Sequence, residues 1–235
     1  MSDLTTADLI AISWFFVCVL GYSAATRYGP LADTGLVRAM NMRRLDWMQN
    51  MAGRENRMVD IQVIAALSRG NGFFASTAIL VTGALAALFG AADDIQTILQ
   101  DFPYVARMTR AVWEIKVVFL MAIFIYAFFK FAWAFRLSHY TAIMVGATPI
   151  ATEPQEQDCL DQAARAARLA GIAGAHANAG LRAYYFGMAG LGWFIHPAVF
   201  VVAVTMVIMV LYRREYHSRA LGIISADKGN PQRSP

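Results

Sequence analysis

A histidine set directly before a proline inside an uncharged run is suited to chemistry at depth in a bilayer. His196 precedes Pro197 near the middle of the apolar block 183–212. An ionisable side chain at such depth is expensive and usually faces a bundle interior or a water-filled path. Proline frees a backbone carbonyl one turn back. His196 therefore reads either as a proton relay or ligand, or as a neutral imidazole bonded to a neighbouring helix or to that freed carbonyl.

Two further intramembrane candidates are Glu114 and Lys130, which sit towards the two ends of the aromatic-rich block 112–135. Arg110 lies four residues before Glu114, a spacing that shares a helix face and favours an interfacial ion pair over a lone proton or cation site. Lys116 stands in the same turn as Glu114. Lys130 can extend its long stem so that its ammonium reaches the interface.

A second constellation collects at one expected membrane level. It comprises Arg69 and Asn71 at the start of one block, Arg136, His139 and Tyr140 after the next, and Arg182, Tyr184 and Tyr185 entering the last. Guanidinium groups with a histidine and an amide suit a lipid phosphate, a quinone headgroup or a carboxylate. The ordinary alternative is positive-inside anchoring, with tyrosines in the headgroup belt.

Haem ligation needs two suitable side chains facing one cavity at similar depth, and only His196 falls inside a block, with His139, His176 and His217 outside. No HExxH, paired-cysteine, P-loop, dinucleotide-binding or GxSxG pattern occurs. The sequence thus predicts no metal, no cofactor and no catalytic set. Cys18 and Cys159 have no metal spacing and read as free thiols.

The elements that must carry these residues follow from the hydropathy pattern. The chain has 235 residues, 58% hydrophobic and 15% charged, against about 45–50% and about 25% in soluble domains. The excess collects in apolar blocks at about 9–26, 70–92, 112–135 and 183–212, the first three near the roughly 20 residues that cross a bilayer. This predicts an all-α integral membrane bundle of four transmembrane helices, a single domain over 1–220, with a disordered tail at 221–235. The first block lacks the basic leader of a cleaved signal peptide, since Asp3 and Asp8 precede or open it, and is read as retained. The last is longer than one crossing, which predicts a bent helix at Pro197, a re-entrant first part being the other option.

Between the blocks, 34–68 has apolar residues at helical spacing and is read as amphipathic, capped by Asp33 or Thr34 and broken at Gly53 before a second helix from about Met58. It lies on the membrane surface or packs beneath the spans. The interval 148–182 reads as a Pro-containing linker and an Ala/Gly-rich helix. Segment 93–110 is relatively acidic and suits the outer side. The arginines of the first loop predict that this loop is cytoplasmic and the N-terminus outside, yet Arg213, Arg214 and Arg219 after the fourth block pull the other way. The net charge of +4 sits beside apolar blocks, which predicts lipid headgroups as partners and no nucleic acid.

The strings "NGFFASTAILVTGAL", "FAWAFRLSHYTAIMVGA" and "GLRAYYFGMAGLGWFIHP" together resemble domain-of-unknown-function family 599, a set of bacterial and plant membrane proteins. The resemblance implies a membrane fold and transfers no activity. The functional expectation is an inner-membrane scaffold or accessory subunit that binds lipids, a second copy or another membrane protein. The alternatives are a small transporter or proton and ion conductor using the intramembrane His and Glu, and a membrane enzyme acting on a lipid or quinone at the Arg/His cluster.

Overall fold

In the computed structural model the described residues are 4–28, 34–90, 109–150 and 156–225. They form helices α1 (Thr6–Tyr28), α2 (Leu36–Ala52), α3 (Met58–Gly90), α4 (Arg110–Ala147), α5 (Glu156–Ile195), α6 (Pro197–Tyr216) and α7 (Arg219–Ser225), and no strand is found among them. The expected Asp33 cap, most of the acidic segment after α3, part of the Pro-containing linker and the tail from 226 lie outside the described residues.

Helix starts follow local chemistry. The Thr5 hydroxyl accepts from the Asp8 backbone N–H, while the Asp8 carboxylate accepts from the Thr5 backbone N–H and hydroxyl, a reciprocal cap that satisfies otherwise orphaned donors. Gly35 precedes α2 at φ 111°, a conformation that favours glycine. The next donor, Val37 N–H, is satisfied at 2.9 Å by Glu215 at the far end of α6. That long-range partner ties the start of α2 to the end of α6. Asn56 accepts from Met58 N–H where α3 begins. Arg57 donates to the carbonyls of Val145, Thr148 and Pro149, a cation on the negative end of α4.

Four stretches are long and apolar enough to cross a membrane: Thr6–Thr26, Met58–Gly90, Arg110–Ala147 and Pro197–Ser225. The chain is therefore an all-helical, multi-pass membrane protein. Helices α3 and α4 extend well past the blocks at 70–92 and 112–135, because no breaker separates the amphipathic turns from the apolar ones. Gly72 does not interrupt α3, and the Phe135 ring packs against it.

The final block is not one bent helix. It is split at His196 between α5 and α6, which fold back as a hairpin: a Cβ at Gly192 would meet Val199, and Tyr185 receives a hydrogen bond from Arg214 at 3.1 Å. Pro197 occupies the first helical position of α6, where its missing N–H costs nothing. Residues 219–225, partly assigned to the tail, form α7, and Arg43 donates to the Ile224 carbonyl.

Directions follow from side-chain pairs. Phe74 stacks on Phe131, and Ser68 reaches His139, so α3 and α4 are antiparallel. Phe131, Phe124 and Leu120 meet Gly180, Gly187 and Gly190, so α4 and α5 are antiparallel. Asp8 meets Trp193 beside the start of α6, and Tyr22 and Thr26 share a cavity with Glu215 and Tyr216 at its end, which sets α1 parallel to α6. The bare glycines let the α4 aromatics pack directly on the α5 backbone. Helix α2 crosses one end of the bundle, burying Met48, Met51 and Ala52 against Ile64, Val145, Ala163 and Ala166. It packs beneath the long helices, one of the two arrangements its pattern allowed.

Candidate headgroup site

At the end of the bundle covered by α2, a cavity of about 590 Å³ opens between α1, α2, α4, α5 and α6. Tyr22 and Thr26 enter from α1, Arg38 and Asn41 from α2, Lys130 from α4, His176 and Arg182 from α5, and Glu215 and Tyr216 from α6. Arg38, Lys130 and Arg182 outnumber the one lining carboxylate, Glu215, which is already turned to the α2 backbone. Lys130 lies over the Tyr126 ring, 5.1 Å from its centroid, and neither it nor Arg182 has a carboxylate partner among the described residues. The His176 Nδ1 is sealed and has no hydrogen-bond partner among the described residues. Unpaired cations beside low-dielectric walls make a site that favours an anion.

Tyr126, Lys130 and His176 also line a groove on the outside of α4, completed by Phe129, Trp133 and Arg136. Phe129 and Trp133 are exposed, as lipid-facing aromatics would be. Polar cavity and apolar groove thus share a wall.

The structure divides the Arg/His constellation instead of assembling it. Arg182 lines the cavity and Arg136 the groove. Arg69 is exposed. His139 Nδ1 lies 3.0 Å from the Phe135 carbonyl and 3.3 Å from the Ser68 hydroxyl, on the α3–α4 seam. Asn71 lines a separate chamber. Tyr185 accepts a hydrogen bond from Arg214. A shared membrane level did not imply a shared face, because these residues point to different sides of their helices.

Of the intramembrane candidates, Glu114 pairs with Arg110 at 3.0 Å, both side chains exposed. His196 is not at depth: it caps α6, its Nδ1 accepting from Ala198 N–H at 3.1 Å, and is exposed at the hairpin tip. Of the three, Lys130 lines the cavity. Lys116, read from the sequence as a neighbour of Glu114, pairs instead with Asp8 of α1, the two side chains being 2% and 7% exposed. The signal for such a partner was present, since Lys116 lies within an apolar run where an unpaired cation is costly. Among the described residues no group of three or more His, Cys, Asp or Glu side chains is placed to hold a metal.

An all-helical membrane bundle with a basic cavity at one end defines the class. The family is given by a profile described as "Protein of unknown function, DUF599", which matches residues 10–220, and the chain belongs to it. No curated protein and no solved structure matches the chain.

Proposed function

We propose that this protein binds an anionic amphiphile of the inner membrane, with the headgroup in the cavity between Lys130 and Arg182 and the chain along the α4 groove. The observation that carries the reading is the pair of cations, Lys130 and Arg182, that line the cavity without a carboxylate partner among the described residues. An anionic headgroup would supply the missing charge, and the shared wall of Tyr126, Lys130 and His176 lets an acyl or prenyl chain stay in lipid. Scaffolding and accessory roles remain compatible, with the bound lipid as part of the docking surface.

The placement of the cavity supports a cytoplasmic-side site. Helix α5 runs from the α2 end back to the start of α4, so it adds a fifth transit to the four apolar stretches. Its outward residues there, Met188, Leu191 and Ile195, are apolar and exposed. Five transits bring Arg213 and Arg214 to the same end as the basic α2, which removes the charge conflict in the sequence. Both basic segments then satisfy the positive-inside rule together.

The test is lipid binding by the purified full chain in neutral detergent, read by native mass spectrometry. Phosphatidylglycerol is expected to bind at least about tenfold more tightly than phosphatidylcholine, and Lys130→Gln/Arg182→Gln is expected to remove most of that preference. Equal binding of the two lipids, or a preference untouched by the double substitution, overturns the reading.

A further inference from the structure

A second, smaller chamber of about 230 Å³ lies between α2, α3, α4 and α5, and its lining contains no carboxylate. Arg44 enters it from α2, Asn71 from α3, Thr141 from α4 and Asn178 from α5. The Arg44 guanidinium is drawn against the α5 backbone at Gly174, where a Cβ would come within 2.7 Å of it. One of its nitrogens donates to Asn41 at 2.6 Å, and no ion pair to Arg44 occurs among the described residues. Burial makes its charged form costly, lowering its pKa from the ordinary arginine value. The Asn71 and Asn178 side chains likewise have no hydrogen-bond partner among the described residues.

We propose that this chamber binds a small oxyanion, a phosphate or carboxylate group, held by the free edge of Arg44 and the amides of Asn71 and Asn178. A guanidinium edge matches the oxygen spacing of such a group, and charge-assisted hydrogen bonds are the strong ones. The volume leaves room for a tetrahedral anion and a few waters, each taking about 30 Å³. The group arrives either as a free anion or on a headgroup reaching past Asn178, which lines both this chamber and the larger cavity. The site does not depend on the headgroup reading above.

The experiment uses the full chain in neutral detergent, titrated with sodium phosphate against sodium chloride at matched ionic strength. It is read by thermal unfolding and by tryptophan fluorescence, because Trp47 lines the chamber. A saturable response to phosphate is expected, weakened at least about tenfold by Arg44→Gln and less by Arg44→Lys. A phosphate response lost in Arg182→Gln but kept in Arg44→Gln places the anion in the headgroup cavity and counts against the proposal. If Arg44→Gln does not fold, Asn71→Ala at a half-buried position must weaken phosphate binding several-fold. Dihexanoyl phosphatidic acid distinguishes the source: competition at lower concentration than phosphate assigns a lipid-borne group, and none assigns a free anion. A phosphate response equal to that of chloride, or one that survives both Arg44→Gln and Asn71→Ala, overturns the proposal.

Discussion

The ammonium of Lys116 on α4 stands 3.5 Å from the carboxylate of Asp8 on α1, with both side chains nearly sealed. Trp193 at the end of α5 completes the tie: its carbonyl accepts from Lys116 at 2.9 Å and its indole N–H donates to Asp8 at 2.8 Å. Three helices are thereby joined at the end opposite α2. The carbonyl also lies near the negative terminus of α5, which favours a cation there.

Removing one member of this tie should therefore be worse than removing both charges. Lys116→Met leaves Asp8 buried without its cation and is expected to cost about 3–5 kcal/mol. Adding Asp8→Asn should return at least about 1 kcal/mol of the stability that Lys116→Met removes. Unfolding of the four proteins in mixed detergent gives the cycle, and strict additivity means the pair is not coupled.

The α4–α5 seam depends on absent side chains. A Cβ at Gly187 would lie 2.8 Å from the Phe124 ring, and one at Gly180 2.7 Å from Phe131. Gly187→Ala is expected to destabilise the bundle by about 1–3 kcal/mol through overpacking. Gly83→Ala, with nothing within 4 Å of its Cβ, should be neutral or stabilising by up to about 1 kcal/mol. Thermal midpoints in one detergent compare them, and equal effects would remove the steric explanation.

These two ties also mark the limit of what the sequence displayed. Uncharged length made the membrane class and most of the long helices legible, because apolar runs report lipid exposure directly. The α5 segment was harder to read. Gly180, Gly187 and Gly190 face α4 and its first half carries Arg165 and Arg168, so hydropathy alone did not separate it from a surface helix. The His196–Pro197 step reads equally as a kink or as a helix start, and contacts across the hairpin, Trp193 with Phe200 and Tyr185 with Arg214, decide it. Arg182 was picked out for its charge, but the cavity it lines also needs Tyr22, Lys130 and Glu215 from three other helices. No spacing along the chain encodes that meeting.

Asp60 fixes α2 to α3. It is 1% exposed and accepts from the Trp47 indole and from Arg54, each at 2.6 Å. Asp60→Leu removes both acceptors and is expected to cost about 1.5–3 kcal/mol, hydrogen bonds to a charged group being the stronger kind. Release of Trp47 should shift its emission to longer wavelength, measured in a chain where the other tryptophans are phenylalanine. An unshifted spectrum with full stability would mean that the apolar contacts of Met48 and Met51 alone seat α2.

The fifth transit proposed for α5 makes a prediction about sidedness that four transits would reverse for one terminus. Asp8 lies at the end holding Lys116 and the α5–α6 hairpin, whereas Ser225 follows Arg219 at the α2 end. Single cysteines at Thr6 and Ser225, introduced after Cys18→Ser and Cys159→Ser, should therefore label from opposite sides of sealed vesicles. A membrane-impermeant maleimide applied to intact cells is expected to reach position 6 and not position 225, and inverted vesicles should show the opposite pattern. Parity decides the sides: α6 can start beside Lys116 only if α5 has carried the chain back from the end where α4 finishes. If both positions label from one side, α5 does not cross the bilayer, and the basic cavity at its α2 end loses its assigned cytoplasmic face.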